Sequence, residues 1–419
     1  MYCGSCLRDN ALAAELLARG HDVVLTPVYT PTRTDEPNVS QRRVFFGGIS
    51  VFLEQHSSLF RHTPGFLDRL WDAAWVIRMA SKRQIKVDPK SLGELTVSML
   101  RGERGFQRKE IDKLLAWLRT EPRFDVINLP YALLLGLAEP LKRTLQAPVC
   151  CTLQGEDLFL DGLGEPHRQQ SLDLIRSAAS HVDAFMPVSE YYGDYMPGYL
   201  GIPRERIRVV PLGISLDGYA HRPHARSDAF TIGYLARIAP EKGLHLLAQA
   251  YRKLRHRPGI GKSRLIVAGY LAAEHRKYLD DIKADLQRDG LERELEYRGE
   301  VDRAQKIEFL QSVDVFSVPA TYGEPKGIFL FEAMATGVPV VQPNHGAFPE
   351  VLRKTGGGVL VEPDNPDALA DAILELWRDP ERARRLGEAG AEGVRAHYTV
   401  GRMADAAERV YNELTGRKP

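Results

Sequence analysis

The sequence predicts an α/β protein made of two doubly wound parallel-sheet halves. Three observations lead there. At 419 residues the chain is too long for one ordinary core. Apolar runs alternate with amphipathic helical stretches over 124–210, and the alternation restarts at 230 after a polar stretch at 217–228. The runs are continuously apolar, as strands covered on both faces must be.

In the first half, residues 10–19 place Leu12, Leu16 and Leu17 on one helical face, with Asp9 or Asn10 to cap the start and Gly20 at the end. A strand is expected at 23–25. A Rossmann-like half opens instead with a strand that feeds a Gly-containing loop and then a helix. Residues 2–6 read as that loop, and Met1 falls where the strand would end. The expectation is that this chain lacks its first strand, and expression from an upstream in-frame start tests it. Residues 27–45 read as loop, 45–54 as a strand, and 66–83 as a helix with Leu67, Leu70, Trp71, Ala74 and Trp75 on its core side. A helix at 111–118 follows. Then come a strand at 124–129, a helix at 132–145, a strand at 149–153, a helix at 169–180, a strand at 184–188, a helix at 191–199 and a strand at 207–210.

The second half opens with a strand at 230–235, a helix at 243–254, a strand at 264–268 and a helix at 274–289. Further strands are expected at 295–298, 313–318, 339–342 and 358–361. Asn365 caps a helix whose first residue is Pro366. Two more helical stretches finish the chain, the last at 402–414. The domains expected are 1–215, 216–395, and a C-terminal helix at 396–419 that packs back toward the first half.

The bulk numbers exclude several classes. The chain is 44% hydrophobic and 26% charged with a formal net charge of +1, so no global field points to nucleic acid. No apolar run approaches the roughly 20 residues of a membrane-spanning helix, and no signal peptide opens the chain. Four cysteines are too few for a disulfide framework. Cys3 and Cys6 form a C-x-x-C pair with no second pair at zinc-like spacing, and Cys150 and Cys151 sit in an apolar run. A reducing, cytoplasmic location is expected. The basic run at 251–264 could touch anionic lipid, but reads first as a solvated helix end.

Two segments carry chemistry. In 319–341, PATYGEPKGIFLFEAMATGVPVV, a strand ends, a loop holds Glu324 and Gly327, and a helix begins near Ile328 with Glu332 one turn in. A helix N-terminus offers free N–H groups to phosphate, Gly327 allows close backbone approach, and carboxylates accept from sugar hydroxyls. In 233–243, GYLARIAPEKG, Arg237 and Lys242 bracket a strand–helix loop and could neutralise a diphosphate. Taken singly, the acids also read as a solvated loop residue and a helix-dipole partner, and the cations as surface groups near a turn.

Together, in this order, the segments resemble the retaining glycosyltransferases of family 4, which have the GT-B fold of two Rossmann-like domains facing a cleft. The matching pieces are ARIAPEKG, with Ala236 in the usual Gly place; Glu324 and Glu332 followed by AMATGVPVV; and His345 to Glu350 for a G-G-x-x-E pattern with one Gly kept. RGHDVVL, FDVINLP, VDAFMPVSE and RIRVVPLGI agree. The likeness spans nearly the whole chain and is strongest over 205–378.

The resemblance implies that Glu332 binds the donor ribose and Glu324 the donor-sugar hydroxyls. It implies that Arg237 and Lys242 hold the diphosphate, helped by the backbone of Gly327 and Ile328, and that Arg298, Gly299 and Val301 contact the base. Gly4 would approach the diphosphate from the first half. Closure of the halves and retention of configuration are likewise implied. The partners are then a nucleotide-sugar donor and an unidentified glycan, lipid or small-molecule acceptor, with no cofactor. Gln154 stands where the family has His, beside Glu156, and Lys326 intervenes between Glu324 and Gly327. Gln154, Glu156, Lys326 and Glu350 are therefore candidate acceptor or cleft residues. No D-x-D pair adjoins these loops and cations are present, so no metal is expected. The alternatives are a sugar-nucleotide epimerase, a GT-B phosphorylase, or a sugar-binding protein, which would bind free sugar but no nucleotide.

Overall fold

The computed structural model describes residues 4–29, 31–41, 43–46, 89–220, 229–258 and 260–417. They form two compact units. The N-terminal unit is Leu12–Pro211 with Ala404–Pro419, and the C-terminal unit is Leu212–Met403 with Met1–Ala11.

Helix α1 (Gly4–Ala18) starts before the expected residue 10, so Gly4 to Cys6 are helical rather than loop. The N-terminal unit continues with α2 (Pro89–Leu100), which the sequence reading omits, and α3 (Arg108–Leu118). Then follow β1 (Ile127–Leu129), α4 (Ala138–Leu145), β2 (Val149–Leu153), α5 (Asp157–Asp161), α6 (His167–Ala178), β3 (Ala184–Pro187) and α7 (Glu190–Leu200). The three strands are parallel in the order β1-β2-β3, with Leu129 opposite Cys151 and Cys151 opposite Phe185. Every residue of β2 is buried, as an interior parallel strand requires. Phe45, Phe46, Ile111, Leu134, Leu153 and Met196 fill the core around it.

Three expectations change here. Residues 23–25 join no ladder. The chain instead makes one bridge, Val28 to Phe45, because strand propensity needs a neighbour to pair with. The run 207–210 keeps a single bridge at Ile207, although Arg208 and Val210 still donate to Phe185 and Pro187 at 2.8 and 3.0 Å. The helix expected at 132–145 is a 3₁₀ segment, Ala132–Leu137, followed by α4. A continuous α-helix would set the Pro140 ring against the carbonyl of Gly136, whereas a restart at Ala138 puts the proline in a first turn. Of the strand expected at 45–54, residues 47–54 lie outside the described residues and Phe45 makes only the bridge to Val28; the helix expected at 66–83 also lies outside the described residues.

The C-terminal unit carries β4 (Phe230–Leu235), α8 (Leu244–Arg255), β5 (Ser263–Ala268), α9 (Arg276–Arg288), β6 (Leu295–Tyr297), α10 (Arg303–Gln311) and β7 (Val315–Phe316). It ends with α11 (Ile328–Ala335), β8 (Val340–Pro343), α12 (Phe348–Thr355), β9 (Gly358–Val361), α13 (Pro366–Arg378) and α14 (Pro380–His397). The last helix, α15 (Val400–Thr415), starts in this unit and from Ala404 on belongs to the N-terminal unit. All six strands are parallel in the order β6-β5-β4-β7-β8-β9. The order reverses between β4 and β7, and a crevice opens at such a reversal beyond the strands' carboxyl ends. Helices α10 and α12 were not expected. Asp302 and Gln305 cap α10 reciprocally, at 2.9 and 3.0 Å.

The basic run is answered within the unit. Arg252 pairs with Asp289, Lys253 with Asp367, Arg255 with Glu294 and Arg257 with Asp371, at 2.5 to 2.8 Å. The run therefore presents much less net positive charge than its sequence suggests. Among the described residues no helix is long and apolar enough to cross a membrane.

Candidate active site

Both chemistry-bearing loops of the C-terminal unit leave the strands that flank the reversal. The loop after β4 carries Arg237 and Lys242, and the loop after β7 carries Glu324. Gly243 lets them meet. It has φ +71°, and a Cβ there would lie 1.8 Å from the Pro319 carbonyl oxygen, so only glycine fits. The Thr321 amide donates to the Glu241 carbonyl at 3.0 Å and stitches the loops together. On the other side the Ala347 amide donates to the Glu324 carbonyl at 2.9 Å. The Glu324 loop is thus held between its two neighbours.

This brings Lys242 onto Glu324. The Lys242 ammonium donates to Glu324 Oε2 and to the Tyr322 hydroxyl, the latter at 2.6 Å. Tyr322 in turn donates to the same Oε2 at 2.5 Å. The other oxygen, Oε1, accepts from the Lys326 and Gly327 amides at 3.2 and 3.4 Å. Glu324 is 2% exposed. Burial alone would push its carboxyl up, but Lys242, Tyr322 and the nearby Lys326 charge hold it down to about 2. An acid this strong stays ionised at any working pH. It accepts hydrogen bonds and presents negative charge, and it has no proton to give.

Gly327, at φ +61°, starts α11, and the first amides of a helix lack an acceptor one turn back inside it. Ile328 is the first helical residue, and it lies beside Gly4, where a Cβ would stand 3.3 Å from its Cδ1. The Lys326 ammonium donates to Ser5 Oγ at 3.1 Å. Gly4, Lys326, Gly327 and Ile328 therefore gather at one place in the C-terminal unit. Glu332, one turn into α11, is buried and pairs with Lys306 at 2.5 Å and with the Tyr219 hydroxyl at 3.0 Å.

Arg237 is not joined to these groups. Its guanidinium pairs with Glu241 and is about two-fifths exposed. Arg298 pairs with Glu296 at 2.7 Å, and Gly299 accepts from the Gly269 amide at 2.7 Å beside the end of β5. Val301 follows just before the cap of α10. Glu350 lies in the first turn of α12, half-buried.

In the N-terminal unit, Glu156 ends the loop after β2. Its Oε1 accepts from the Ala132 amide at 3.0 Å, and its Oε2 from the Gln154 and Gly155 amides at 2.7 and 2.9 Å. The Tyr192 hydroxyl lies 3.2 Å from Oε2 and donates to Asp157 at 2.8 Å. Burial pushes the Glu156 carboxyl up despite these donors, and it does the same to Asp157. Gln154 donates its side-chain amide to the Pro130 carbonyl at 2.7 Å. Both side chains are spent on the loops after β1 and β2. Cys150 and Cys151 are buried in β2, where burial pushes the Cys150 thiol up to about 12. Cys3 lies outside the described residues. Among the described residues no three His, Cys, Asp or Glu side chains gather to hold a metal.

Sequence reasoning missed Tyr322, Lys306 and Tyr219. Tyr322 was visible two residues before Glu324. The D-R-A-Q cap would have located the helix that carries Lys306. Nothing local marks Tyr219.

Comparison with known proteins gives two family matches. Residues 9–213 match a model described as "Glycosyl transferase 4-like domain", and residues 220–393 one described as "Glycosyl transferases group 1". The chain is 34% identical over 218 residues to the phosphatidyl-myo-inositol mannosyltransferase of Mycobacterium tuberculosis, covering 49% of this chain and 54% of that one. It is 29% identical over 268 residues to the lipopolysaccharide core biosynthesis mannosyltransferase LpcC of Rhizobium leguminosarum bv. viciae, covering 62% and 71%. The chain spans about half the length of the first of these curated relatives. Among solved structures it is similar to Anabaena Alr3699/HepE in complex with UDP and glucose. The TM-score is 0.63 at 19% identity, with 73% of this chain and 82% of that one covered.

Proposed function

We propose, on the premise that the chain belongs to the family-4 glycosyltransferases with the GT-B fold, that it moves a hexosyl group from a nucleoside-diphosphate sugar to an acceptor hydroxyl with retention of configuration. The bond from the anomeric carbon to the β-phosphate oxygen breaks, the bond to the acceptor oxygen forms, and the acceptor's proton leaves with the diphosphate. The observation that carries this reading is the Lys242–Glu324 pair at the strand-order reversal, beside the open first turn of α11. An ammonium and a helix N-terminus suit a departing diphosphate. A permanently ionised carboxylate suits sugar hydroxyls and the positive character that builds at the anomeric carbon.

Glu332 would take the ribose hydroxyls, Gly327 and Ile328 the phosphate oxygens with Gly4 and Lys326 beside them, and Arg298, Gly299 and Val301 the base. Arg237 would have to leave Glu241 to reach a phosphate. With Lys242 and the α11 amides at hand, leaving-group charge is met without a metal. The relatives' printed names favour a mannosyl donor and a lipid or glycan acceptor. The test is a screen of UDP-, GDP- and ADP-sugars for hydrolysis or transfer, with Glu324→Gln as control. Turnover of one donor that Glu324→Gln lowers by two orders of magnitude or more is the expected result. Binding of free sugar with no nucleotide bound would overturn it.

A further inference from the structure

We infer that Lys306 and Tyr219 are positioning residues that set Glu332 to read a ribose, and so decide ribonucleotide against deoxyribonucleotide. The inference rests on the donor reading above.

The Lys306 and Glu332 side chains are 8% and 10% exposed. An ion pair taken that far out of water gains little net stability, and an apolar pair of similar size would pack as well. Its geometry is more telling than its energy. The Lys306 ammonium and the Tyr219 hydroxyl both donate to Oε1, at 2.5 and 3.0 Å. Two donors on one oxygen fix the rotation of the carboxylate about its last bond. Oε2 is then held at a set angle to accept from a ligand, and a vicinal diol supplies the hydroxyl donors that a carboxylate lacks.

The two holders are themselves held. Lys306 rides on α10, whose start is locked by the Asp302–Gln305 cap. Tyr219 lies under the Arg303 guanidinium at 5.1 Å, and its carbonyl accepts from Arg395 at 3.2 Å. Arg303 also donates to the carbonyls of Ser215 and Asp217. The 3% exposed Tyr219 is therefore placed by contacts from α10 and α14 as well as by its own loop, where its amide donates to the Leu216 carbonyl at 3.0 Å.

Calorimetric titration with UDP, GDP and ADP, each beside its 2′-deoxy counterpart, tests this on the wild-type full chain, Tyr219→Phe and Lys306→Met. Wild type should prefer the ribonucleotide by about tenfold or more, since a site built to bond a hydroxyl rejects the ligand that lacks it. Both substitutions should bring the ratio toward one, with diphosphate-driven binding retained. A purely structural role would weaken both ligands equally and leave the ratio unchanged, and that result overturns the inference. Tyr219→Phe removes one hydroxyl only, so it decides the matter even where Lys306→Met does not fold. If wild type binds no nucleoside diphosphate, the donor reading falls and takes this with it. If wild type prefers the ribonucleotide and the variants do so equally, only the positioning role falls.

Discussion

Glu324 and Glu156 occupy comparable places, each in a loop that leaves the carboxyl end of a parallel strand, and each is buried with a tyrosine hydroxyl at hand. Their surroundings differ in sign. Glu324 faces the Lys242 ammonium and lies near Lys326, and it is held down to about 2. Glu156 meets backbone amides and a neighbouring acid, Asp157, and burial pushes it up. Amides satisfy a carboxylate's lone pairs but bring no full charge to offset desolvation. One residue type in one kind of loop thus becomes a poised anion in the C-terminal unit and a clasp between two loops in the N-terminal unit.

Substitution breaks the comparison most directly. Glu324→Ala should lower turnover of whichever sugar nucleotide the screen selects by roughly 10²–10³-fold. Glu156→Ala leaves the Ala132 and Gln154 amides without their acceptor and the Gly155 amide with the Tyr192 hydroxyl alone, so it should cost about 2–4 kcal/mol of stability while binding of the donor nucleotide persists. Turnover and urea unfolding of the two variants separate the outcomes. Loss of stability alone at Glu324, or of turnover alone at Glu156, would invert the assignment.

The sequence pattern made one side of this contrast legible. Strand, Gly-containing loop and helix around Lys242 and around Glu324 are local signals, and the fold brings those two loops together. Where a side chain turns is a different kind of information. Nothing in CTLQGE tells that Glu156 points inward, because the amide it needs first comes from Ala132, in another loop. Arg237 was read with the diphosphate group, yet Glu241 four residues on captures it in this state. Lys306 stayed hidden because α10 has no clear apolar stripe, and its partner Glu332 is distant in sequence. The 23–25 run failed for the same reason in another form: its apolar residues suit a strand, but pairing is decided by what lies alongside.

Acidity sharpens the comparison, because the two groups tilt stability in opposite directions. Glu324 is depressed below its ordinary 4.5, so its contribution is fully present above pH 4.5 and fades as pH falls toward about 2. That contribution is on the order of 3 kcal/mol. Glu156 is raised, so its contribution is present below pH 4.5 and fades as pH climbs through its raised value. Denaturant unfolding across pH should therefore show the gap between wild type and Glu324→Gln closing on the acid side. The gap for Glu156→Gln should narrow as pH rises above 4.5. Parallel slopes for both variants would mean that the two carboxylates share one environment after all.

The tyrosines give the smallest effect and the finest test. Tyr322 accepts from Lys242 at 2.6 Å and donates to Glu324 at 2.5 Å, so it sits inside the charge pair. Tyr192 accepts from the Gly155 amide at 3.1 Å and donates to Asp157 at 2.8 Å, between backbone and acid. Each Tyr→Phe change removes hydrogen bonds worth about 1 kcal/mol of stability. Only Tyr322→Phe should also touch activity, lowering turnover several-fold and moving the acid limb of the pH–rate profile upward as Glu324 loses a donor to its charged form. Tyr192→Phe should leave that limb where it is. A shift of equal size in both variants would show that the limb reports general loosening of the fold rather than the ionisation of Glu324.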